Sequence, residues 1–140
     1  MSRRKRVLVA DDHADVREML RLSLVLDGYD VITVRDGAEA VRILAIEPID
    51  AAVLDVMMPG MDGLSILARL RSDRATADLP VVIVTAASLC FDDKHTPYRT
   101  DRTHFLSKPV EPRDISRLID QMCDEAENDL PVKRGRLSLA

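Results

Sequence analysis

Ile49-Asp50-Ala51-Ala52-Val53-Leu54-Asp55-Val56 is apolar at every position except Asp50 and Asp55. A strand with one wet face would alternate, so an unbroken apolar run of this length reads as a strand buried on both sides. Upstream, Val7-Leu8-Val9-Ala10 is a second such run and closes on Asp11-Asp12. Between the two, residues 14–27 place Val16, Leu20, Ser23 and Leu24 near one helical face, widened by Met19, Leu22 and Leu26, with Gly28 where a helix C-cap is expected. Residues 29–34 alternate β-branched side chains and read as a strand. Asp36 is positioned to cap a helix carrying Ala38, Val41, Leu44 and Ala45, which Pro48 stops.

Downstream the alternation continues. Leu64, Leu67 and Leu70 lie three apart on a helix over 63–71, and Pro80 introduces the strand Val81-Val82-Ile83-Val84. Residues 104–107 form a weaker strand. Ile115, Leu118, Ile119 and Met122 follow at i, i+3, i+4 and i+7 on a helix over 111–127, with Pro112 in its first turn. Five strands separated by helices predict an α/β fold, a doubly wound parallel sheet with helices on both faces. Residues 89–102 fit least well: Pro97 and Asp92-Asp93 leave few core contacts, so the fourth helix is expected to be short or irregular.

Composition narrows the function. The 140 residues are one domain's length, and 46% apolar with 31% charged is globular composition. Twenty Lys and Arg against 24 Asp and Glu give a formal charge of −4, which disfavours a dedicated nucleic-acid binder. With no Trp, two Tyr and two Phe, there is little from which to build base-stacking platforms. Cys90 and Cys123 make no CxxC pair, which excludes a disulfide scaffold and fits a reducing, cytoplasmic setting. No run is long and apolar enough for a membrane span, and no signal core follows the basic start.

Ligands of open α/β sheets bind outside the carboxyl ends of the strands. Asp11 and Asp12 follow the first strand, Asp55 ends the third, Thr85 the fourth and Lys108 the fifth. With strands one, three, four and five as consecutive neighbours, these side chains converge. Three carboxylates at one edge repel each other unless a cation is present, and oxygen ligands beside one ammonium and one hydroxyl suit Mg2+ holding a phosphoryl group. Taken singly, each residue has a plainer explanation: Asp11 or Asp12 as a helix cap, Asp55 bonded to backbone N–H groups, Thr85 as a β-former, Lys108 solvated. His13 stands where it edges the site, and His13, His95 and His104 have no metal-ligand spacing.

Val7 to Asp12, then Leu54-Asp55-Val56-Met57-Met58-Pro59-Gly60-Met61-Asp62-Gly63, then Val84-Thr85-Ala86, then Leu106-Ser107-Lys108-Pro109 resembles the receiver domain of bacterial two-component response regulators, in the single-domain form of the chemotaxis regulators. The likeness runs over residues 6–126. It implies a flavodoxin-like sheet of order 2-1-3-4-5 and three segments: a basic end at 1–5, the receiver domain at 6–127, and a flexible C-terminal tail at 128–140. By the resemblance Asp55 is the phosphoacceptor; Asp12, Asp55 and the carbonyl of Met57 hold Mg2+, with Asp11 acting largely through water. Lys108 and Thr85 contact phosphoryl oxygens, and Phe105 is the aromatic that moves when Thr85 turns inward. Lys108-Pro109 is cis in many relatives. Met57 and Ala87 flank the site and offer no acid or amide to orient water, so slow intrinsic hydrolysis is expected.

The implied function is a phosphoacceptor module that takes a phosphoryl group from a sensor histidine kinase or phosphotransfer protein and passes its signal to a downstream effector protein. It is not an enzyme in the ordinary sense, binds no nucleic acid or membrane directly, and is a monomer or a weak phosphorylation-dependent dimer in the cytoplasm. No helix-turn-helix or enzyme domain fits in residues 128–140, which favours a stand-alone module. The alternative is a constitutive interaction module of the same fold without phosphate control. A haloacid-dehalogenase-type phosphohydrolase is disfavoured, because its usual second Asp is replaced by Met57.

Overall fold

β1 (Arg6–Ala10), β2 (Asp30–Val34), β3 (Ala51–Asp55), β4 (Val81–Thr85) and β5 (Thr103–Ser107) form one parallel sheet in the order β2-β1-β3-β4-β5. The computed structural model describes residues 4–86, 102–129 and 137. Every residue of β3 and β4 is buried, which is why their sequences lack alternation. β2 is an edge strand and starts on the exposed Asp30.

α1 (Ala14–Leu26) and α4 (Pro112–Asp129) cover one face, setting Leu20, Leu24, Ile115, Ile119 and Met122 against Val7, Val9, Val53, Val82 and Val84. α2 (Gly37–Ile46) and α3 (Gly63–Ser72) cover the other, with Leu44, Ile66, Leu67 and Leu70 on Leu8, Leu54, Val81 and Ile83. Successive strand residues therefore enter opposite cores. Each fully buried aliphatic side chain contributes about 1.5–3 kcal/mol. Among the described residues no helix is long and apolar enough to cross a membrane.

The helix starts follow the sequence. Asp36 accepts from the Glu39 N–H at 2.8 Å and Asp62 from the Ser65 N–H at 2.8 Å, capping α2 and α3. β2 begins one residue later than periodicity suggests. Tyr29 belongs to the turn after α1, where its N–H donates to the Leu24 carbonyl and its hydroxyl donates to Asp120 of α4. The interruption at Asp50 also has a use: its carboxylate accepts the Arg6 N–H at 2.7 Å, fixing where β1 and β3 begin relative to each other.

The short or irregular helix expected over 89–102 lies almost wholly outside the described residues. Within 128–140, expected to be a flexible tail, α4 extends to Asp129 and Leu137 is buried in the α2/α3 core at 3% exposure. The Leu137 N–H donates to the Leu44 carbonyl at 2.8 Å, so this residue satisfies one of the last-turn carbonyls of α2. At that point the chain is docked.

Candidate functional site

The carboxyl edge of the sheet is extended by single backbone bonds beyond the strands. The Asp11 N–H donates to Val34, the Val56 N–H to Val84, and the Lys108 N–H to Thr85 at 2.7 Å. These bonds hold Asp11, Asp55 and Lys108 in register, and the Lys108-Pro109 peptide is cis. The loop after Asp55 is pressed between two helix starts. A Cβ on Gly63 would lie 2.4 Å from the Asp55 carbonyl oxygen, and one on Gly37 would lie 1.8 Å from that of Met61. Both contacts require the absence of a side chain.

Asp55 is 2% exposed. Its Oδ1 accepts the Met57 N–H at 3.3 Å and its Oδ2 accepts from Lys108 Nζ at 3.2 Å. The same ammonium lies 3.4 Å from Asp11 Oδ2. Asp11, also 2% exposed, takes the His13 N–H on Oδ1 at 2.9 Å. Asp12 is exposed, and its Oδ1 lies 3.1 Å from His13 Nδ1. Neither Asp11 nor Asp12 caps α1; His13 is the N-cap and makes no side-chain cap bond. That removes the helix-cap explanation for this pair.

Two of the three carboxylates, Asp11 and Asp55, thus share one ammonium. Burial, and then the charge of Asp11, push the Asp55 carboxyl above the usual carboxylate range, against the opposing pull of Lys108 and the Met57 N–H. The surplus of negative charge favours either protonation of Asp55 or a bound cation. One oxygen or nitrogen from each of Asp11, Asp12, His13 and Asp55 lies within 4.8 Å of the others. This donor set, rich in carboxylate oxygen, fits Mg2+.

Thr85 is buried at the end of β4, but its hydroxyl donates to the neighbouring Ala86 carbonyl at 3.5 Å. Phe105 is half-buried and packs on the α2/α3 core. Met57 contributes its backbone, while its side chain is 62% exposed. Ala87 lies outside the described residues. Two contributors escape sequence reasoning. Arg17 Nη1 donates to the Asp11 carbonyl at 2.8 Å, and Gly37 supports the loop from α2. Their only signal was an arginine one turn into α1 and a glycine at a helix start.

The family model of the response regulator receiver domain matches residues 7–120. The chain belongs to the response regulator receiver family. A curated relative from Cyanophora paradoxa, named "Probable transcriptional regulator ycf27", is 33% identical over 125 residues, covering 89% of this chain and 51% of its own. The chain spans about half the length of such relatives. A sensor protein from Polaromonas sp. JS666 superposes with a TM-score of 0.75 at 30% identity, covering 88% of this chain and 98% of that one. A receiver domain of a Pseudomonas aeruginosa sensor histidine kinase, solved "with magnesium ion coordinated in the active site cleft", has a TM-score of 0.75 at 24% identity over 87% of this chain and 99% of its own. At that identity it supports the fold alone. The receiver assignment makes this chain a signalling module with an acidic pocket.

Proposed function

We propose that this receiver domain accepts a phosphoryl group on Asp55 from a phosphohistidine donor, a sensor kinase or phosphotransfer protein, and signals by changing the face it offers an effector protein. The carrying observation is Asp55 itself: buried, at a strand end, under-neutralised, and within 3.2 Å of Lys108 Nζ. An Asp55 oxygen attacks phosphorus; the O–P bond forms as the N–P bond breaks, and the electron pair stays on the departing imidazole nitrogen. Lys108 is placed to pair with a phosphoryl oxygen, and the Met57 N–H holds the acceptor carboxylate in orientation.

Asp12, Asp55 and the Met57 carbonyl would hold Mg2+, with Asp11 acting through water; when bound, the ion neutralises charge on the carboxylates and on the phosphoryl oxygens. Thr85 donates to Ala86 here, so contact with the phosphoryl group needs a rotation of its side chain. Phe105, three residues before Lys108 on the half-exposed strand β5, is the group that would fill the vacated space. A cytoplasmic setting follows from the kinase as donor.

The test is intact-mass measurement after incubation with Mg2+ and acetyl phosphate. One added phosphoryl group, absent in Asp55→Asn, is expected. No adduct from any phosphodonor would instead favour a constitutive interaction module, and sustained multiple turnover a hydrolase.

A further inference from the structure

Arg17 stands at the end of the first turn of α1, and its side chain runs back toward the start of the helix, the direction in which helical side chains lean. Its Nη1 donates to the Asp11 carbonyl at 2.8 Å, six residues upstream. Two features set this bond apart from an ordinary surface contact. A cation here lies toward the positive end of the helix dipole, where positive charge is disfavoured. The neighbouring carboxylate, Glu18, gives both its oxygens to Arg21, and Arg17 reaches instead to an uncharged acceptor.

That acceptor belongs to the peptide joining Asp11 to Asp12. Asp11 is fixed by other bonds as well: its N–H donates to Val34, its Oδ1 takes the His13 N–H, and its Oδ2 lies 3.4 Å from Lys108 Nζ. Asp12 lacks such ties. Its side chain is 34% exposed, and among the described residues its polar partner is the exposed His13 ring. No side-chain cap bond pins the turn into α1. The direction of the Asp12 carboxylate therefore follows from the torsions beside the Asp11–Asp12 peptide. We propose that Arg17 is a positioning residue for the cation site: by holding that peptide it aims Asp12 at the ion, without touching the ion itself. The inference rests on the reading of the acidic edge as a Mg2+ site.

The charge of Arg17 and its hydrogen bond act on the ion in opposite directions. A guanidinium beside a cation site repels the ion, so by charge alone its removal should tighten Mg2+. Loss of a partner that orients a ligand does the reverse, weakening metal binding by about 10- to 100-fold. The sign of the change therefore separates the two roles. Lysine keeps the charge, and its ammonium can still donate to a carbonyl, though without the planar fork.

Calorimetric Mg2+ titrations of the full chain, Arg17→Met, Arg17→Gln and Arg17→Lys test this at one pH and ionic strength. Metal-free melting curves establish that each variant is folded at the titration temperature. Arg17→Met retains the apolar stem and removes charge and donor together; Arg17→Gln removes the charge and shortens the reach. The expected result is Mg2+ bound about tenfold more weakly by both neutral variants, and by Arg17→Lys within about threefold of wild type. Tighter binding by the neutral variants, a loss below about threefold, or an equal loss in Arg17→Lys would overturn the positioning role while wild-type binding upholds the cation site. A wild type that binds no Mg2+ would overturn the cation-site reading as well.

Discussion

Arg71 and Asp55 both carry charge in largely dry surroundings at opposite ends of the sheet, and the protein treats them differently. Near the starts of β4 and β5, the Arg71 guanidinium donates to Thr103 Oγ1 at 2.7 Å and to the carbonyls of Arg102, Thr76 and Ala77 at 2.9, 3.2 and 3.1 Å. Burial lowers its pKa to about 10, opposed by the charge of Asp78, so it remains protonated at neutral pH. At the carboxyl end Asp55 has one backbone N–H, one shared ammonium and a like-charged neighbour. The cation at the amino end is fully occupied with holding α3 to β5. The anions at the carboxyl end are left short of positive charge, and that shortage is what an incoming cation and phosphoryl group can use.

The contrast breaks most readily at Arg71. Arg71→Ala should cost about 3 kcal/mol of unfolding free energy, because it strips charge-assisted bonds from several acceptors at once. Arg71→Lys should recover only part, since an ammonium cannot span the same fork of acceptors. Denaturant titration measures both, and a loss below about 1 kcal/mol would remove the structural role.

Leu137→Ala comes next, at about 2 kcal/mol, the low end for a buried leucine whose site can partly collapse. An unchanged melting curve would mean that residue 137 is not docked in solution.

The smallest effect has the opposite sign. With metal chelated, Asp55→Asn should stabilise the protein by about 1 kcal/mol. The sign follows from the raised Asp55 pKa. The native state holds that proton more tightly than the unfolded chain does, so the native state loses stability as pH rises from the ordinary Asp value through the raised one. Wild type should show that loss in thermal melts, and Asp55→Asn should show less of it. Saturating Mg2+ should stabilise wild type more than the variant.

Sequence reading reached the parts of this molecule that leave a periodic trace. Buried parallel strands leave apolar runs, so β1, β3 and β4 were visible, and Asp11, Asp55 and Lys108 stood out as polar residues closing such runs. The cap Asp36 was legible because a cap is a local bond over three residues. Arg71 was not, because an arginine in the last turn of a helix is ordinarily solvated, and its acceptors at 102 and 103 are about thirty residues away. Leu137 was missed because Leu137-Ser138-Leu139-Ala140 is too short a stretch to show a period. Thr85 was placed correctly at the strand end, but the direction of its hydroxyl depends on a side-chain rotation that no sequence pattern encodes.

The central claim is that the under-neutralised carboxylate at the end of β3 is the acceptor. Treating the protein with acetyl phosphate and Mg2+, reducing it with borohydride, and sequencing its peptides by mass spectrometry tests this directly, because an aspartyl phosphate is trapped as homoserine. The account predicts homoserine at position 55 alone, appearing only when both donor and Mg2+ are present. Label at another residue, or at 55 regardless of Mg2+, would contradict it.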